Sequence, residues 1–304
     1  MSAAASTTHR RVARWASVLI FVTVALGGMV CATDSSSSCP AWPACYSDQV
    51  GPSIQAGWLE NPVIEFIHRL ISFIALLLLA WTGLLGRGAR DVRVRFYPWL
   101  ALVCGVGSAI FGMMIIKFHL PLVLGLLDLA FALIAMSLIT VTDAALRPGR
   151  HEEQPRLRRL VRTTLGLIIV MHLLGSIVAG TTSDGTGSFT RCLSWPLWEL
   201  HDIDRFPALQ VIRIVMAVFA VALIALIVAL AFRHRALRLP GLAVAVCLLV
   251  ELVLGVVITL GGLAPTQTNG IDVTIAVTYS FAAVALMWSL AWLLGLTPRS
   301  AVRG

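Results

Sequence analysis

The chain has 304 residues, 58% of them hydrophobic and only 12% charged, with a mean hydropathy of +0.89. A soluble domain carries roughly 25% charged residues, so this composition excludes a water-soluble fold of the same size. The net charge of +8 does not mark a nucleic-acid partner, because the arginines fall in the gaps between apolar runs and form no binding stripe.

The apolar residues gather into runs of about 20, enough for a helix to cross a hydrocarbon core of roughly 30 Å. Backbone polar groups in lipid must be satisfied within the segment, which makes each run a helix. Eight spans are predicted, over 13–32, 63–85, 96–116, 120–142, 159–180, 207–231, 239–262 and 271–294. The first is read as a span and not as a cleaved leader, since no small-x-small site introduces a soluble domain.

Charge orients these spans. Arg10, Arg11 and Arg14 lie at the N-terminal head of span 1, Arg87, Arg90, Arg93 and Arg95 separate spans 2 and 3, and six arginines from Arg147 to Arg162 fall between spans 4 and 5 or at the head of span 5. Arg233, Arg235 and Arg238 lie between spans 6 and 7, and Arg299 and Arg303 follow span 8, whereas the opposite gaps hold only Lys117, Arg191 and Arg205. The positive-inside rule puts both termini in the cytoplasm of a multi-pass inner (plasma) membrane protein surrounded by lipid. An even number of spans requires the same.

The two longest outer loops, 33–62 and 181–206, each follow the first span of a four-span half, and each contains a Trp-Pro pair, at Trp42-Pro43 and Trp195-Pro196. Glu65-Phe66-Ile67-His68 aligns with Gln210-Val211-Ile212-Arg213 further on. The expected architecture is therefore all-α, with two tandem four-helix bundles over 1–150 and 151–304. An even number of helices per repeat keeps both copies parallel.

Ionisable groups inside spans cost several kcal/mol unless they face an interior, so each is a functional candidate. Glu65 and His68, near the outer end of span 2, share a helix face at i and i+3, and histidine is a common axial ligand to heme iron. The plainer alternative is a His68 packed on a neighbouring carbonyl with Glu65 wet at the interface. Asp128, deep in span 4, needs a proton or a partner; Lys117, His119 or a group on span 2 would serve. Cys39 and Cys45 lie in an outer loop where disulfides persist. They read either as a structural staple or as a redox pair, with Cys31 as a third candidate partner. Cys104 and Cys247 read as core packing and His172 as a packed histidine. His119 reads as interfacial, His201 as exposed, and His9, His151 and His234 as solvated among arginines. The glycine-rich 180–187 stretch is loop and not a phosphate cradle, as no strand precedes it.

Together, Gly27-Gly28-Met29-Val30 closing span 1, the loop Cys39-Pro40-Ala41-Trp42-Pro43-Ala44-Cys45, and Ile64-Glu65-Phe66-Ile67-His68-Arg69 opening span 2 resemble the heme A synthase family. The resemblance extends over nearly the whole chain and is sharpest over 27–75. It implies oxidation of the C8 methyl of heme O to a formyl group, giving heme A for cytochrome oxidase, with heme O synthase and the oxidase as partners. It implies paired histidines on spans 2 and 4 for the substrate heme and on spans 6 and 8 for a heme b cofactor. It also implies a glutamate at the reacting centre and a disulfide in the first outer loop. Glu65, His68, Cys39 and Cys45 match those positions. Asp128, Arg213 and Thr278 stand where the remaining histidines are expected, and Trp198 stands where Cys192 would find its partner. Arg213 suits a heme propionate better than iron. Three readings follow: a synthase-type oxidoreductase with altered ligation, a non-catalytic heme-binding or oxidase-assembly protein, and a small-molecule transporter reusing the fold.

Overall fold

The computed structural model describes residues 6–33, 35–118, 122–147, 153–180, 207–261 and 270–297, and among these there is helix and no strand. His119, His151, His201, Cys192 and Trp198 lie outside the described residues, as do the side chains of Gln210 and Arg213. We number the helices α1 (Thr7–Ala32), α2 (Pro62–Gly86), α3 (Val92–Arg95), α4 (Tyr97–Phe118), α5 (Leu122–Ala145), α6 (Pro155–Gly180), α7 (Pro207–Phe232), α8 (Arg238–Gly261) and α9 (Gly270–Leu296). Seven of the described helices are long and apolar enough to cross a membrane. Arg156, Arg158, Arg159 and Arg162 crowd the first turns of α6, and residues 163–180 that follow carry no charge.

The helix starts follow capping chemistry. Ser6 accepts from His9 N at the head of α1. Asn61 accepts from Val63 N at 3.0 Å, and Pro62 follows it at the first helical position, where a missing N–H costs nothing. The approach to Asn61 turns at Gly57, whose φ of +109° suits a residue without a Cβ. Asp91 caps the short α3 by accepting from Arg93 N.

Helices α1, α5, α6 and α9 form the interior, and α2, α4, α7 and α8 flank them. α5 packs on α1, α4, α6 and α9, and α9 packs on α1, α5, α6 and α8. Leu133, Met136 and Ile139 of α5 meet Leu286, Met287 and Leu290 of α9 in the core, all fully buried. Gly295 lets α9 approach the α5 backbone, since a Cβ there would stand 2.8 Å from the Val141 carbonyl oxygen. The only polar tie at this depth that joins three helices among the described residues is Ser17 of α1, which bonds Thr140 of α5 at 3.0 Å and accepts from Trp288 Nε1 of α9 at 3.1 Å. The flanking helices present large apolar side chains outward, including Phe73, Val103, Val218 and Leu249, each more than 60% exposed. That belt is the surface lipid would cover; in water it would be an aggregation site.

The basic end of the bundle uses several of its charges structurally. Arg93 forks onto Asp91 and donates to the Gly295 carbonyl at 2.9 Å, and Arg158 donates to the Thr297 carbonyl. Cations there satisfy the last carbonyls of α9 and oppose its negative dipole end. His9 corrects an expectation. It is buried at 5% exposure and not solvated, because its ring packs beside Gly86 at the tail of α2.

Candidate functional site

The first turn of α2 carries Glu65, where the positive end of the helix dipole favours an anion. Glu65 is buried at 5% exposure and is not wet at the interface. What makes this tolerable is Arg69, one turn on, whose Nε donates to Glu65 Oε1 at 2.7 Å. The rest of the guanidinium faces the first outer loop: Nη1 donates to the carbonyls of Ala41 at 2.6 Å and Ala44 at 2.9 Å, and Nη2 donates to the Cys39 carbonyl at 2.7 Å. These carbonyls belong to a ring closed by a Cys39–Cys45 disulfide, with both cysteines fully buried. Ala41 N donates to the Cys45 carbonyl across the ring at 3.0 Å. The two cysteines therefore pair with each other, and Cys31 takes no part in that ring. A planar fork with five donors suits three carbonyls and a carboxylate; an ammonium could not span them.

His68 lies on the side of α2 that meets α1. Its ring faces the Thr23 carbonyl of α1, and a Cβ on Gly27 would stand 3.4 Å from His68 Cε1. His68 Nδ1 is buried and has no hydrogen-bond partner, and the nearby Thr23 hydroxyl is likewise unpartnered. Glu65 acts electrostatically on both His68 and Asp128, so the three sequence candidates of the first half occupy one neighbourhood. Among the described residues, Asp128 finds its partner in the Ser108 hydroxyl of α4, which donates to Oδ1, and not in Lys117 or a span 2 group. The pairing follows from packing, because α4 and α5 lie side by side.

These residues fit a heme by a narrow test. An iron takes a neutral imidazole nitrogen that nothing else occupies, and His68 Nδ1 is a buried nitrogen of that kind with the small Gly27 beside the ring. Among the described residues, no group of three or more histidine, cysteine or acidic side chains converges as a metal site, and His68 is the one histidine on helices α2 to α5. Among the described residues, the second half does not fit a bis-histidine heme. His172, buried in α6, is the sole histidine on helices α6 to α9, and the Thr278 hydroxyl donates to the Thr274 carbonyl of its own helix at 2.7 Å. Arg213 lies in the backbone of α7.

Two ionisable side chains within spans went unassigned in the sequence. Arg69 directly follows His68 at i+4 from Glu65, and that spacing was its signal. Glu251 is a lone acid in an otherwise apolar run, and it is fully buried in α8.

No family model matches the chain. It is similar to a heme A synthase of Chelativorans sp. (strain BNC1), 29% identical over 147 residues that make up 45% of this chain and 40% of that protein. It is also similar to a heme A synthase of Geobacillus thermodenitrificans, 26% identical over 190 residues, 59% of this chain and 56% of that protein. The chain thus spans about half the length of the curated relatives it matches.

Proposed function

We propose that this chain, a divergent heme A synthase-like membrane protein, handles heme in its first half, with His68 as the iron ligand and Glu65 beside the reacting edge. The reaction we assign is oxidation of the C8 methyl of heme O to a formyl group for cytochrome oxidase biogenesis, a four-electron step in which water supplies the oxygen and an oxidant outside this chain, dioxygen or a quinone, takes the electrons. The observation that carries this reading is the trio of buried Glu65 and partly buried His68 and Arg69: an imidazole with an unpartnered nitrogen next to a carboxylate tied to the outer loop. Bound heme supplies the porphyrin and the oxidisable methyl.

The chain's own residues do the rest. His68 offers a nitrogen that no protein donor or acceptor competes for. Arg69 donates to Glu65 Oε1, which fixes the carboxylate in place near His68. The disulfide ring, buttressed by Arg69, holds the outer end of α2 in place. Asp128, steadied by Ser108, replaces the second axial histidine as a polar group on α5, and Arg213 is assigned to a propionate.

The architecture we propose is eight spans in two parallel four-helix halves, with both termini cytoplasmic in the inner membrane and α6 as the remaining span. Its support is that helix pairings in one half have counterparts in the other: α1 with α2 and α6 with α7, α2 with α4 and α7 with α8, α4 with α5 and α8 with α9. A non-catalytic heme carrier is the second reading, favoured by the loss of ligand histidines from α7 and α9. One host tests both: in cells making heme O and lacking their own synthase, the enzyme yields heme A, while the carrier copurifies with unmodified heme.

A further inference from the structure

Glu251 lies near the middle of α8 and has no exposed surface. Among the described residues, neither carboxyl oxygen has a hydrogen-bond partner. α8 packs on α7 and α9, whose ionisable residues are Arg213, Asp272 and Tyr279, and the titratable neighbour on α8 itself is Cys247, one turn away. Cys247 Sγ lies 3.9 Å from the Ser289 hydroxyl of α9. Cys247 and Ser289 both sit nearer than Glu251 to the end of the bundle where α1 begins and α9 finishes.

A bare carboxylate in such surroundings is strongly disfavoured, because among the described residues neither donors nor a cation replace its lost hydration. As a neutral acid the group is tolerable, and intramembrane acids of this kind serve as proton sites. We propose that Glu251 is a proton-binding site in the interior of the second half. It holds one proton at rest and exchanges it by way of Cys247 and Ser289 toward the end of the bundle that carries the first turn of α1. The site is separate from the heme reading, which uses the first half.

The test uses the full chain in liposomes. N,N′-dicyclohexylcarbodiimide is an apolar reagent for protonated carboxyls: the acid O–H adds across one C=N bond to give an O-acylisourea, whose acyl group then migrates from oxygen to nitrogen to leave a stable N-acylurea, with no leaving group and no change in oxidation state. Peptide mass spectrometry of wild type treated with this reagent is expected to find the adduct on Glu251, whereas a water-soluble carbodiimide leaves Glu251 unmodified. In the infrared, wild type is expected to show a protonated-carboxyl stretch that Glu251→Gln lacks and Asp128→Asn retains. Deuterium exchange of that band is expected to slow by about tenfold in Cys247→Ala/Ser289→Ala, as one added barrier would cause. An unlabelled Glu251 in folded wild type, or identical carboxyl bands in wild type and Glu251→Gln, overturns the proton site. An unchanged exchange rate in the double variant overturns the route. The labelling needs no variant, so misfolding of Glu251→Gln does not rescue the proposal. None of these readouts depends on heme.

Discussion

Arg69 Nε meets Glu65 Oε1 at 2.7 Å with both side chains nearly buried, at 12% and 7% exposure. Breaking a buried pair from one side strands the other charge, at a cost of about 3–5 kcal/mol. Arg69→Ala is therefore expected to lower thermal stability sharply. Glu65→Gln keeps an oxygen acceptor for Nε and is expected to lose far less. Equal losses in unfolding experiments on the two variants would argue against the pair as the anchor of this end of α2.

The disulfide ring spans a sequence separation of 6. Loop-closure entropy for a ring that small is worth about 2 kcal/mol. Cys39→Ser/Cys45→Ser is expected to lose that much and also to loosen the three carbonyls that hold Arg69. Adding Arg69→Ala to the cysteine variant should then cost less than it does in wild type. Strict additivity in this cycle would show that ring and arginine act independently.

Gly27 is the neighbour of the His68 ring that a side chain can block. Alanine there makes ordinary contact with Cε1 at 3.4 Å and is expected to be tolerated. Gly27→Leu is expected to abolish the Soret absorbance of the purified protein while its melting temperature stays near that of Gly27→Ala. Full heme content in the leucine variant would move the ligand site away from the α1–α2 contact.

Ser108 donates to Asp128 Oδ1 across the α4–α5 contact. Removing the donor leaves a half-buried acid without its partner, worth about 1–3 kcal/mol. Ser108→Ala is expected to destabilise by that amount in thermal melts, and Asp128→Asn by less, since its amide oxygen still accepts. A neutral Ser108→Ala would show that the carboxyl finds another donor.

Much of this was legible in the residues. Apolar length located the helices of both halves to within a few residues, except that α1 starts six residues earlier, at Thr7 and not at 13, because Ser6 supplies a cap ahead of the apolar run. The spacing of Glu65 and His68 placed them on one helix, and the outer position of Cys39 and Cys45 allowed their pairing. The partners were not legible. That Asp128 would find Ser108, 20 residues back, depends on how α4 packs against α5. That Arg69 would reach back 30 residues to the Cys39 carbonyl depends on the path of the loop. His9 looked solvated from its arginine neighbours because sequence proximity says nothing of Gly86, across the helix pair.

The most direct measurement is the absorbance spectrum of protein purified from cells with ample heme, compared between wild type and His68→Ala. The account predicts a Soret band in wild type, with heme approaching one per chain, and its loss in His68→Ala with the fold intact. A wild type without that band, or a band that survives His68→Ala undiminished, contradicts it.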